Sequence, residues 1–379
     1  MRVCSLSSVK NRIVLGAPLP FSVRDSTRML LLARGQVIVD EAQLQELFQR
    51  GALVEVDELA GAIQPAPQEA RARRSAALPA EWDKCGADVR LALTAAPADM
   101  AGAIDHSADS LLALIAQAPD LALSQVVRRN ESGSGSGHYG VNHSIHAATA
   151  CQAAARHLGW SAGEQRRAFQ AALTMNISMI DLQARLATQV SPLTAKQRET
   201  INEHPTRSSE LLGQAGIADE DWLAAVAQHH EVAGGSGYPK GLTTVGELAE
   251  LLRYADIYTA RMSSRANRPA MSATQAGREL HQMAAESPFA AALIKSFGIF
   301  PPGSLVKLAS GELGMVTRNG EKAHHPLVAT LTDATGAPRL SPLMRDTARH
   351  GSAVVALISE QAMPMRLTDE TIADLFCGA

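Results

Sequence analysis

The sequence predicts a mainly α protein: a helical bundle with a small mixed α/β unit before it and a small β-rich appendage after it. Three observations predict this. Alanine and leucine dominate while aromatics are only 4% of the 379 residues, which favours close-packed helices over a β-sandwich. A helical apolar period runs almost unbroken from His138 to about Phe297. Beyond residue 300 the pattern changes to short apolar runs around Ser310-Gly311-Glu312, a hairpin signal.

Taken in order, Leu30-Leu31-Leu32 and Val37-Ile38-Val39 flank Arg34-Gly35-Gln36 as strand, turn and strand. Glu41 to Arg50 reads as an amphipathic helix, with Leu44, Leu47 and Phe48 on one face and Gly51 as its stop. From Gly61 to Pro79 the periodicity is lost among Pro65, Pro67, Arg71, Arg73 and Arg74, which predicts a solvated linker. The expected organisation is therefore an accessory domain over 1–60, a linker over 61–80, a helical domain over 81–300 and an appendage over 301–379. Helices are expected at 139–158, 163–174, 196–203, 206–215, 219–230, 245–263 and 273–297, after an apolar stripe at Leu111, Leu112, Leu114 and Ile115 and a helix over Asp120–Arg129. Ser161 with Glu164 is a capping box. The run 131–137, serine and glycine after Glu131, is a flexible loop by composition, ahead of a histidine-rich helix. Strands are expected at 305–308, 313–317, 327–331 and 353–358.

Composition excludes several classes. With 35 basic and 38 acidic residues, no basic excess points to a nucleic-acid polymer or an anionic membrane. Cys4, Cys85, Cys151 and Cys377 lie far apart and form no CxxC, so neither a disulfide framework nor a zinc finger is expected, and a reducing cytoplasm is the simplest location. No run reaches 18 apolar residues, so no membrane span is expected. The apolar stretch near the N-terminus is broken by Pro18 and Pro20, against a signal peptide.

Chemistry concentrates in histidines. His229-His230 ends a helix and is followed by Glu231 and then Gly234-Gly235-Ser236-Gly237-Tyr238-Pro239. Adjacent helical residues diverge by about 100°, which suits two neighbouring ions, or one ion and a substrate, better than one ion alone. Glycines there permit positive φ and close backbone approach, and Pro239 stiffens the exit.

His229-His230-Glu231 with Gly235-Ser236-Gly237-Tyr238-Pro239 resembles the HHE…GxGYP signature of the HD-GYP family, bacterial, all-helical, metal-dependent phosphohydrolases that open cyclic di-GMP. The resemblance covers roughly 138–300. His143, a central helix, His204-Pro205, the double histidine and Tyr254-Ala255-Asp256-Ile257-Tyr258 follow in the family's order. It implies an HD-type helical bundle, with His143, His204, His229, His230 and Asp256 as the surviving metal-ligand candidates. It also implies that Gly235, Gly237, Tyr238 and Pro239 form a loop for a ligand or for partners of the diguanylate cyclase type, and that the N-terminal unit is accessory.

The departures are specific. Where the family has its His-Asp pair and following Lys, this chain has Met175, Asn176 and Met179. Tyr139 replaces an acidic residue that some members carry, and Gly234 replaces the usual Asp before the GYP loop. Two divalent ions bring about +4, which one carboxylate cannot offset, so a dinuclear centre is not expected. The cofactor expectation is none, or a single divalent ion (zinc, manganese or iron) held by His204, His229, His230 and Asp256.

Each candidate has a plainer reading. His229 and His230 could cap their own helix, Asp256 could pair with Arg253 or Arg261, and Met175 and Met179, four apart, could be core packing. Arg261, Arg265 and Arg268 could be a solvated face or could hold phosphates. His138 and His146 match no family ligand, and His106, His157, His281, His324, His325 and His350 read as surface or packing residues. Three functions follow. The first is a degenerate HD-GYP protein that binds cyclic di-GMP or signalling partners, the second a weakly active phosphodiesterase with one metal, and the third a structural helical scaffold. A homodimer is left open.

Overall fold

The computed structural model describes residues 3–55, 66–128, 138–284 and 286–377. The chain forms two units, Met1–Arg74 and Ser75–Ala379.

In the first unit, strands β1 (Val3–Ser5), β2 (Val23–Arg24), β3 (Leu30–Leu32) and β4 (Leu53–Glu55) make an antiparallel sheet in the order β1-β4-β2-β3. Helix α1 (Glu41–Gln49) starts at Asp40, whose carboxylate accepts from the Gln43 N–H at 2.8 Å. Leu6, Phe21, Val23, Ile38, Leu44 and Val54 form its core. The strand expected at 37–39 is not one. Its backbone serves the loop before it instead: Gly16 N–H donates to Ile38 O and Leu19 N–H to Gln36 O, with one bridge from Pro18 to Val37.

Helix α2 (Ala66–Leu93) corrects the linker expectation for 66–80; residues 61–65 lie outside the described ones. Alanine-rich sequence carries high helix propensity. Leu78, Trp82, Cys85 and Val89, spaced four, three and four apart, bury one stripe in the main core.

The second unit continues with α3 (Pro97–Gln117) and α4 (Pro119–Arg128), which turn by 108° at Ala118. The glycine-serine run at 131–137 lies outside the described residues. Then follow α5 (Tyr139–His157), α6 (Ala162–Thr174), a 3-10 turn (Ile177–Met179), α7 (Ile180–Thr188), α8 (Ala195–Gln214), α9 (Glu220–Gln228), α10 (Glu247–Met262), α11 (Ala273–Ala284) and α12 (Pro288–Phe297). The Ser161/Glu164 capping box is present. Three boundaries differ from expectation. The segments 196–203 and 206–215 are one helix, α8, running through Pro205. The segment 273–297 is two helices, because Ser287 caps a new helix with Pro288 at its first position. Helix α7 was not expected, its pattern being short and preceded by the 3-10 turn. Gly140 lets α5 cross α7 closely, since a Cβ there would lie 2.6 Å from Ile180 O.

After α12, strands β5 (Leu305–Leu308), β6 (Leu313–Arg318), β7 (Leu327–Thr332), β8 (Pro338–Asp346) and β9 (Val354–Leu357) form an antiparallel sheet ordered β8-β7-β6-β5-β9. Leu305, Met315, Ala329 and Leu331 join the main core, while Val306, Leu308, Val316 and Val328 make a second small one. Period-two alternation thus puts one sheet face on the bundle. Helix α13 (Asp369–Cys377) closes the described chain.

One polar cluster sits in this sheet. Glu312, its side chain 4% exposed, accepts from Arg345 Nη2 at 2.8 Å and Arg339 Nη2 at 2.9 Å. The Arg345 hydrogen bond first, then Ser310 and Arg339, hold its carboxyl down at about 2 against burial, which acts the other way. A depressed carboxyl stabilises the fold above its unfolded value of 4.5, and that contribution is lost as pH falls toward 2. Glu312→Gln should therefore flatten the acid side of the stability profile, measured by urea unfolding at pH 7 and pH 3. Glu312→Ala should cost about 2–3 kcal/mol at pH 7, because two partly buried guanidinium groups lose their partner.

Candidate functional site

The site is built around two helix ends and two backbone carbonyls. His204 lies inside α8, one residue before Pro205. Proline has no N–H, so the carbonyl four residues back, Ile201 O, has no helical donor. His204 Nδ1 donates to it at 2.5 Å. His229 follows the last residue of α9, where carbonyls also lack helical donors. Its Nδ1 donates to Val226 O at 2.6 Å. Both imidazoles are thereby fixed with hydrogen on Nδ1, and their Nε2 lone pairs face each other at 3.1 Å.

His230 completes the group. Ligand atoms of His204, His229 and His230 all lie within 4.8 Å of one another. Burial, and next the neighbouring imidazoles, push His204 down to about 4 and His229 and His230 down to about 3. All three are therefore neutral at pH 7, the form that ligates metal. A tetrahedral zinc with bonds of about 2.1 Å places its donors about 3.4 Å apart, so a small closure of this group would suffice. Two facing lone pairs and a third imidazole fit one ion.

His143 and Asp256 make the adjoining pair, with His143 Nε2 2.7 Å from Asp256 Oδ1. The alternative pairing of Asp256 with Arg253 or Arg261 is not formed; Arg261 bonds Glu279 instead. Burial alone would raise Asp256, but the His143 hydrogen bond, with the surrounding imidazoles adding to it, outweighs burial and holds the carboxyl below its usual range. Asp256 is thus the one carboxylate among the five candidate ligands.

The GYP loop is held from inside. Glu231, 1% exposed, accepts from Lys240 N–H at 2.7 Å and Leu242 N–H at 3.0 Å. Tyr238 N–H donates to His230 O at 3.2 Å, and the Tyr238 ring stacks on His230 at 4.6 Å between centroids. Gly237 is a steric requirement: a Cβ there would lie 2.4 Å from Val232 N and 2.5 Å from Glu231 Cα. Gly235 takes φ +85°, and Pro239 follows Tyr238 through a cis bond.

The replaced positions are also placed. Met175 is fully buried at the end of α6, and Met179 is half-buried on the 3-10 turn. The packing reading therefore describes Met175 fully and Met179 in part. Asn176 is 1% exposed, and neither its Oδ1 nor its Nδ2 has a hydrogen-bond partner. Such a group carries a desolvation cost with no return from within the chain. Ser178 ties this turn to α8, its hydroxyl donating to His204 O at 3.1 Å.

Sequence reasoning assigned no role to Tyr139, yet it stacks on His143 at 6.1 Å and its hydroxyl accepts from Arg265 Nε at 3.1 Å. The signal was present as Tyr139 and His143 four apart on one helix face. Arg268 donates to Ala260 O, so Arg265 and Arg268 are both engaged rather than forming a solvated face. His138 sits 3.2 Å from Asp181, apart from the histidine trio.

The family model for the HD domain matches residues 113–293. Residues 113–293, just under half of the chain, thus match an HD domain. Its HHE…GSGYP segment gives this HD domain the HD-GYP pattern. A curated relative, cyclic di-GMP phosphodiesterase PA4108 of Pseudomonas aeruginosa, is 26% identical over 269 residues, covering 69% of this chain. The chain spans 64% of that relative's length. Among solved structures, Bd1817, a HDG"Y"P protein from Bdellovibrio bacteriovorus, superposes with TM-score 0.48 at 14% identity, over 78% of this chain and 98% of the other. No single helix among the described residues is long and apolar enough to cross a membrane; by length and composition alone the bent pair α3–α4 passes the same test.

The described residues thus bring three imidazoles together, with the His143–Asp256 pair adjoining them. Gly237→Ala should destabilise the protein by about 2 kcal/mol or more, since backbone rather than a movable side chain blocks the new methyl. Thermal melting of that variant beside Gly246→Ala, where a Cβ meets open space, checks this.

Proposed function

We propose that this is a degenerate HD-GYP protein that acts in cyclic di-GMP signalling by binding, either to cyclic di-GMP or to signalling partners through the GYP loop, with hydrolysis impaired. One observation carries the reading: the place of the family's His-Asp pair is taken by a buried Met175 and by Asn176, a neutral group. Without that carboxylate, only Asp256 offsets the charge of metal ions, and two ions cannot be held. Met179 also removes the cation expected beside a phosphate. The relative named as a cyclic di-GMP phosphodiesterase supports the ligand class.

A second reading, a weakly active phosphodiesterase with a single metal, is favoured by the facing Nε2 atoms of His204 and His229. His204, His229 and His230 would hold the ion, with Asp256 and His143 beside them. A bound zinc, manganese or iron would supply Lewis acidity at the phosphate. The chain itself contributes the orientation of the imidazoles through Ile201 O and Val226 O, and the shielding of His230 by the Tyr238 ring.

Two measurements separate the readings. Elemental analysis of protein purified without chelator should give at most about one metal per chain, lost in the His229→Ala, His230→Ala variant, because one such donor set fills with one ion. Cyclic di-GMP should bind in calorimetry while turnover stays at background. Robust metal-dependent hydrolysis by the wild type would sink the binding reading. Asn176→Asp should raise the metal content toward about two per chain, since it restores an anionic bridge.

A further inference from the structure

A second cavity lies far from the histidine cluster. Its volume is about 420 Å3, within the range of small-molecule sites. It sits at the α3–α4 corner, against the C-terminal end of α5 and the end of α12. Ile115, Ala122 and Leu123 form apolar walls, each under 9% exposed. The polar groups gather around Gln152, Arg156 and His157 at the end of α5.

The polar groups are not spent on one another. The Thr149 hydroxyl donates to Ile145 O, and that of Ser296 to Ala292 O, so each keeps only an acceptor. Among the described residues the side chains of Gln152 and Arg156 make no hydrogen bond or ion pair. The carboxylate that acts on Arg156, Asp120, is ion-paired to Arg318 at 3.6 Å. An exposed guanidinium thus stands at the rim of an apolar hollow with its nearby carboxylate engaged elsewhere. That combination suits a molecule with an apolar body and one anionic end.

We infer that this cavity binds a small apolar anion, its body against Ile115, Ala122 and Leu123 and its charged end at Arg156. The site lies on the same helix as His143, thirteen residues away, or about 20 Å along the axis. It therefore does not belong to the histidine site and needs neither metal nor cyclic nucleotide.

The test uses the full chain with decanoate and 1-decanol as probes in titration calorimetry. Decanoate should bind saturably with one site per chain. Arg156→Glu, an exposed change, should weaken decanoate about tenfold or more, as reversing one paired charge does at a partly desolvated contact, and leave 1-decanol unchanged. Ala122→Trp should abolish both by filling the hollow. If that variant fails to fold, as judged by circular dichroism, Ala153→Trp at the rim replaces it with the same expectation. No saturable binding of decanoate, or unchanged affinity in Arg156→Glu, overturns the assignment.

Discussion

Two backbone carbonyls without helical donors aim the centre of this protein. Ile201 O is freed because Pro205 has no N–H to give it, and Val226 O is freed because α9 ends at Gln228. Each accepts from a histidine Nδ1 and so decides the tautomer and direction of that ring. A helical proline costs stability elsewhere in proteins. Here the lost hydrogen bond is replaced by a side chain of the preceding residue, and the replacement leaves an Nε2 lone pair pointing at the neighbouring ring. The position of His230, and its stacking on Tyr238, follow from the same helix end.

Charge then sets what the centre can do. Its imidazoles are held neutral by burial, and Asp256 is held ionised by His143. A set of three neutral donors with one adjoining carboxylate balances one divalent ion far better than two. Asn176 is neutral, and its two buried polar atoms find no partner in the chain. Ser178 ties the turn after Asn176 to the backbone of His204.

Outside the site, the same contrast of paired and unpaired charge recurs. Glu312 is buried with two arginines on it and stabilises the sheet after the bundle. Arg156 stands at the mouth of an apolar hollow with its neighbouring carboxylate held by Arg318. The first is closed within the chain; the second faces outward.

The sequence by itself determined the helical class, the order of the motifs and the residue types at the centre, because helical periodicity and the HHE…GSGYP spacing are local. It also marked Met175, Asn176 and Met179 as departures from the HD-GYP pattern that the chain resembles, since they can be read in place. What it misjudged were elements where local signals conflict with packing. Prolines and arginines hid α2, whose stripe of Leu78, Trp82, Cys85 and Val89 has meaning only against the bundle. Pro205 suggested a break where the tertiary structure carries the helix through. Only the tertiary structure decided which histidines share a centre and that Asp256 bonds His143 rather than an arginine on its own helix. Only it showed that Tyr139 and Arg265, 126 residues apart, meet beside that pair. Each of these contacts joins helices distant in sequence, and spacing along a chain fixes the face a residue occupies but not what is packed against that face.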